Sequence, residues 1–151
     1  VGTRAHELAL CMIYDSPLRC YCDLPEVYRG APGLEYLSAL PCVWDDTIAL
    51  SGSPAEYLVL ARRSGDRWYL SCVTNEDARK IAVSFDFLDA DAEYEGTVYV
   101  DGPDAEADAT SLTIDRRAFR RGDLYVLSLA REGGANIVLT KRHEGETERG
   151  N

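Results

Sequence analysis

Pro41-Cys42-Val43-Trp44-Asp45-Asp46-Thr47 divides the chain into two kinds of sequence. Before it, apolar residues run in helix-length blocks with no polar stripe. After it, they fall into short alternating runs separated by Gly, Pro, Asn and Asp, the pattern of a strand meander. The front is incomplete by itself. Leu8-Ala9-Leu10-Cys11-Met12-Ile13-Tyr14 is apolar around the whole circumference of a helix and so requires cover on every side. A stub of about 45 residues does not supply that cover, and the chain reads as the tail of a larger protein.

Working back from the junction, Thr3 is a suitable N-cap and Ala5 to Tyr14 holds good helix formers, predicting one buried helix over about residues 4 to 15 that Asp15-Ser16-Pro17 ends. Leu18-Arg19-Cys20-Tyr21-Cys22, closed by Asp23-Leu24-Pro25, fits a short buried strand and a loop. Pro25-Glu26-Val27-Tyr28 opens a further helix with Pro in its first turn, and Leu34 to Leu40 forms another short turn. Helix, short strand, helix is the repeating unit of an α/β barrel.

Working forward, Tyr57 to Arg62 and Arg67 to Val73 flank Ser64-Gly65-Asp66, a hairpin signal. Further strands are predicted at Ile81 to Phe85, Tyr94 to Val100, Ser111 to Ile114, Leu124 to Leu129 and Asn136 to Thr140. About seven short strands over about 85 residues point to an antiparallel sandwich. The expected class is mainly β: an antiparallel β-sandwich preceded by the last helix and strand of a (β/α)8 barrel. Its domains are 1–43 (barrel end), 44–142 (sandwich) and 143–151, a polar, flexible tail.

The composition, 46% hydrophobic and 28% charged, is that of a globular chain, and no apolar run approaches the roughly 20 residues that cross a bilayer. Neither an initiator Met nor a signal peptide is read at Val1. A formal charge of −10 and a pI near 4.6 argue against nucleic-acid or anionic-membrane partners, which need clustered Lys and Arg. Arg62-Arg63, Arg116-Arg117 and Arg120-Arg121 are read as solvated turn charges. Cys11, Cys20, Cys22, Cys42 and Cys72 contain no Cys-x-x-Cys pair; four lie in the apolar front or its junction, where a thiol packs as a small hydrophobe, and no zinc or redox site is expected.

Gly2-Thr3-Arg4-Ala5-His6-Glu7-Leu8-Ala9-Leu10, Tyr14-Asp15-Ser16-Pro17-Leu18 and Asp23-x-Pro25-Glu26-x-Tyr28 resemble the end of the catalytic barrel in glycoside hydrolase family 97, the α-glucosidase and α-galactosidase family. Pro41-x-Val43-Trp44-Asp45-Asp46-Thr47 is similar to that family's Pro-x-x-Trp-Asp-Glu-Thr, with Asp46 in place of Glu. Gly52-x-x-x-Glu56-Tyr57, Ala61-Arg62-Arg63-x-Gly65-Asp66-x-Trp68-Tyr69, Thr74-Asn75 and Gly133-Gly134 resemble its C-terminal sandwich. The resemblance implies a parent enzyme with a (β/α)8 barrel acting on α-linked oligosaccharides, with calcium beside its catalytic carboxylates. It also implies export to the periplasm or cell surface of a bacterium, and a C-terminal module associated with homo-oligomerisation. The family's catalytic and calcium-binding carboxylates come from elements upstream of the Thr-Arg-Ala-His helix. No catalytic, cofactor-binding or metal-binding residue is therefore carried over.

Glycoside hydrolysis needs two carboxyl groups astride the scissile bond. Asp23, at the C-terminal end of the predicted barrel strand, is the best remaining candidate, set against a plain role in capping the next turn. His6, in a buried helix, is read as a hydrogen-bonded structural imidazole and His143 as solvent-exposed. Trp44 is read as a wedge locking sandwich to barrel. The alternative is a carbohydrate-binding module using Trp44, Trp68 or Tyr69 as a stacking platform. In Trp68-Tyr69 alternation sends one ring into the core and its neighbour outward. Asp101 to Asp108 fails the EF-hand spacing and is expected to be a solvated acidic loop.

Overall fold

The computed structural model describes residues 2–22 and 24–143. Asp23 and residues 144–151 of the tail expected over 143–151 lie outside the described residues. Helix α1 (Arg4–Ile13) begins where the Thr3 hydroxyl accepts the His6 N–H at 3.2 Å, and stops as Tyr14 turns extended. Two short helices follow, α2 (Pro25–Tyr28) and α3 (Leu34–Ala39). Gly33 enters α3 with φ 93°, a left-handed conformation that suits glycine, and a Cβ there would lie 2.7 Å from Leu8 Cδ1 of α1.

The strands are β1 (Asp46–Ser53), β2 (Tyr57–Ser64), β3 (Arg67–Thr74), β4 (Arg79–Ser84), β5 (Glu93–Asp101), β6 (Leu112–Arg120), β7 (Leu124–Leu129) and β8 (Gly134–Lys141). They form a six-stranded antiparallel sheet, ordered β1-β2-β3-β8-β5-β6, and a two-stranded sheet β4-β7. The mainly β class and the sandwich expected from the sequence are present. Strand β1 was not expected: its register shifts between Ala49 and Ser51, and this bulge interrupts the alternation that marks a strand. At both edges of the large sheet an aspartate takes the next residue's N–H, Asp46 from Thr47 and Asp115 from Arg116, each at 2.8 Å. Those donors are then closed to a further strand.

Between the sheets lies an apolar core. From the large sheet come Val59, Ala61, Trp68, Leu70, Cys72, Val98, Phe119, Ile137 and Leu139; from the small one come Ile81, Val83, Leu127 and Leu129. Phe85 stacks on Phe119 at 4.6 Å, and Trp68 meets Phe87 edge-on at 4.9 Å. Gly96 is required beside Phe119, because any Cβ there would land on the ring.

The opposite face of the large sheet carries α1 and α3. Helix α1 turns Ala5, Leu8, Ala9 and Met12 onto it and leaves Glu7 exposed, with Leu10, Cys11 and Ile13 half-buried. The sheet thus covers one side of the helix, not its whole circumference. Residues Leu18 to Cys22 form no strand: Leu18 is 76% exposed, Cys20, Tyr21 and Cys22 are exposed, and no described strand runs alongside to pair with them.

Candidate functional site

Polar chemistry in this molecule concentrates in the seam between the helical segment and the outer face of the large sheet. The register aligns Leu60, Ser71, Asn136 and Tyr99 in one row across β2, β3, β8 and β5. Ser71 and Asn136 are fully buried there, so each needs partners. The Ser71 hydroxyl donates to Asn136 Oδ1 at 2.6 Å, which makes Tyr36 the donor in its 3.1 Å contact with Ser71 Oγ. Asn136 Nδ2 donates onward to the Ala5 carbonyl at 2.9 Å. One relay thus runs from α3 through β3 and β8 to α1. Burial pushes the Tyr36 phenol far above its ordinary range, against the opposing pull of the Ser71 bond, so it stays a neutral donor. Its ring packs on Tyr99 at 5.4 Å.

The N-terminus of α1 is tied by Asp101. One carboxylate oxygen accepts the Thr3 hydroxyl, and the other accepts the N–H groups of Ala130 at 2.8 Å and Gly134 at 3.0 Å. Burial nevertheless holds this carboxyl above its usual range, outweighing those bonds. His6 donates from Nδ1 to the Gly133 carbonyl at 3.1 Å, the structural role expected for it. Asp101 corrects the reading of 101–108 as a solvated loop. Asp101 is half-buried and Gly102 and Ala105 are buried, while Asp104, Glu106, Ala107 and Asp108 are exposed as expected.

The C-terminal end of α1 meets the junction. Arg62 Nη2 donates to the Ile13 carbonyl at 3.2 Å, where the helix presents its negative end, and Arg62 faces Asp15 at 3.5 Å. Arg62 is 6% exposed, which corrects its reading as a solvated turn charge; Arg116, Arg117, Arg120 and Arg121 are exposed. Its guanidinium carbon lies 5.5 Å from the Trp44 ring centroid, and that of Arg19 lies 6.0 Å from it. Trp44 also meets Tyr69 edge-on at 5.3 Å, and the Tyr69 hydroxyl donates to the Ala39 carbonyl at 2.9 Å.

Trp44 therefore sits as the wedge between front segment and sheet. Alternation places Trp68 and Tyr69 on opposite faces, as read, but the face of Tyr69 is covered by helices. Trp68 is 6% and Tyr69 2% exposed, so neither offers a ring to a sugar. His143 is exposed, 3.5 Å from Asp66. All five cysteines are free thiols; Cys72 is buried and Cys11 half-buried, but Cys20, Cys22 and Cys42 are exposed rather than packed. Among the described residues no three His, Cys, Asp or Glu side chains come together to hold a metal ion. The sequence does carry a signal for the relay: Ser71 and Asn136 are small polar residues inside otherwise apolar strands.

Residues 43–140 match the family model described as glycosyl-hydrolase 97 C-terminal, oligomerisation. A retaining alpha-galactosidase of Bacteroides thetaiotaomicron is 35% identical over 139 residues, which cover 91% of this chain and 21% of that protein. A probable retaining alpha-galactosidase of Streptomyces bingchenggensis is 30% identical over 144 residues, 95% of this chain and 21% of that protein. A glycoside hydrolase family 97 enzyme from Pseudoalteromonas sp. strain K8, solved with acarbose, superposes with TM-score 0.88 at 36% identity over 94% of this chain and 23% of that one. The chain thus spans about a fifth of the length of the curated relatives it matches. It belongs to glycoside hydrolase family 97, of which it carries the non-catalytic C-terminal part.

Proposed function

We propose that this chain completes and supports the catalytic barrel of a family 97 enzyme that cleaves α-galactosides by a retaining mechanism, with α-glucosides as the alternative substrate. The substrate assignment is supported by the alpha-galactosidase relatives. The supporting role is carried by one structural observation: a helical segment clamped to the sheet on one side and apolar on the other. Leu18 is 76%, Val43 72%, Tyr14 66% and Val27 57% exposed, a fringe suited to burial against the body of a barrel. The boundary between barrel end and sandwich falls at 43–44 in this proposal, with Trp44 as its wedge. The described residues hold no cluster that fits the calcium ion implied by the resemblance, and this proposal assigns its ligands to the catalytic body. Export to the periplasm or cell surface is part of the same reading.

Self-association is proposed for the outward face of β4-β7. There Leu124 is 74% and Val126 55% exposed, whereas both edges of the large sheet are partly closed by their aspartates. The test pairs two measurements. This chain alone should not hydrolyse aryl α-galactosides or α-glucosides, and sedimentation should show a full-length enzyme losing its oligomeric state when residues 44–142 are removed. Turnover by the isolated chain overturns the supporting role; an unchanged oligomer overturns the association.

A further inference from the structure

Four buried side-chain N–H groups among the described residues have no hydrogen-bond acceptor: Arg19 Nε, Arg19 Nη2, Trp44 Nε1 and Arg62 Nε. All belong to the cluster in which both guanidinium groups lie over one indole ring. The Arg62 side chain is 7% exposed, yet its acceptors are Ile13 O at 3.2 Å and an Asp15 carboxylate at 3.5 Å that is itself 81% exposed. Arg19 reaches the Leu40 carbonyl at 3.5 Å. These bonds are long for charged donors.

Buried donors are normally paired, and a group of orphans at one place asks for a shared cause. Guanidinium and indole groups donate and never accept, so the missing component is an acceptor. Two guanidinium charges held out of water also need negative charge, which a neutral sugar hydroxyl does not bring. A carboxylate supplies both, with lone pairs for several N–H groups in a planar shape that matches the guanidinium fork. We infer that Arg19, Trp44 and Arg62 form a socket for a carboxylate group. Its source is either an Asp or Glu side chain of the catalytic body, which rests on the supporting role proposed above, or a free carboxylate ligand, which does not.

The experiment follows the thermal midpoint of the chain at neutral pH as sodium acetate replaces sodium chloride at constant ionic strength. A ligand held by the native state alone raises the midpoint in a saturable way. The wild-type chain should show that rise, and Arg19→Lys and Arg62→Lys should each lose it, because lysine keeps the charge but removes the Nε–H and the fork. No rise with the wild type, or an equal rise in the lysine variants, overturns the socket. The same titration on a full-length enzyme separates the sources. Acetate without effect there, with a lowered midpoint in the lysine variants, assigns the socket to a side chain of the catalytic body. A rise in both proteins keeps the socket and removes the catalytic body as its occupant.

Discussion

The two faces of the six-stranded sheet are built differently. Toward β4-β7 the contacts are aliphatic and aromatic, with Phe85, Phe119 and Trp68 supplying the bulk. Toward the helices, tyrosines, Ser71 and Asn136 interleave with Leu8, Met12 and Leu60, and the buried hydroxyls and amide are joined in series. An apolar face rewards any arrangement that fills space, whereas a hydrogen-bonded one rewards a single register. The inner face therefore supplies most of the stability of the sandwich, and the outer face dictates where α1 and α3 sit.

The strongest way to break this contrast is Phe119→Ala. It removes a fully buried ring with stacking partners, and large-to-small changes of this kind cost about 3 to 5 kcal/mol. Chemical denaturation should show it as a loss for the whole sandwich; a cost no larger than that of an exposed-site control would deny the inner face its role. A smaller effect is expected of Gly134→Ala. Its Cβ would lie 2.5 Å from His6 Cα and 2.6 Å from His6 N, so the backbone of α1 has to move away. Overpacking of this kind costs about 1 to 3 kcal/mol, and amide exchange should rise in α1 before it rises in β3 or β8. Equal protection in all three would show that the helix is not independently seated.

The subtlest effect is one of pH. Asp101 has its carboxyl raised by burial, so the native state resists its ionisation; as pH climbs through that raised titration, the wild type should lose stability relative to Asp101→Asn. Glu93, on the exposed rim, is lowered chiefly by its hydrogen bond from Arg120, so the wild type should lose stability relative to Glu93→Gln as pH falls through that lowered titration. Urea midpoints between about pH 3 and 8 should therefore give difference curves of opposite slope. Parallel curves would remove the distinction between a carboxylate in the seam and one at the rim.

Much of this was legible in the sequence because short apolar runs bounded by turn residues are a local signal. Strands β2, β3, β4, β5, β7 and β8 each carry one, and Thr3 announces α1. What escaped depends on neighbours. Leu18 to Cys22 is apolar enough for a strand but finds no ladder, and β1 hides behind its bulge and its Ser-Gly-Ser end. Arg62 and Asp101 resemble ordinary surface charges until α1 settles on them. For Tyr69, alternation gives the side of the sheet, but a cover from Ala39 and Trp44, 30 and 25 positions earlier, is invisible to a local pattern.

The distribution of thiols turns the contrast into something readable from outside. Cys20, Cys22 and Cys42 stand in the open on the front segment, while Cys72 lies sealed inside the sandwich with its thiol pushed up by burial to about 12. A maleimide dye would therefore tag the front and ignore the interior. Docking of a catalytic body over that front would register as slowed labelling, and opening of the sandwich as a new, late-reacting sulfur.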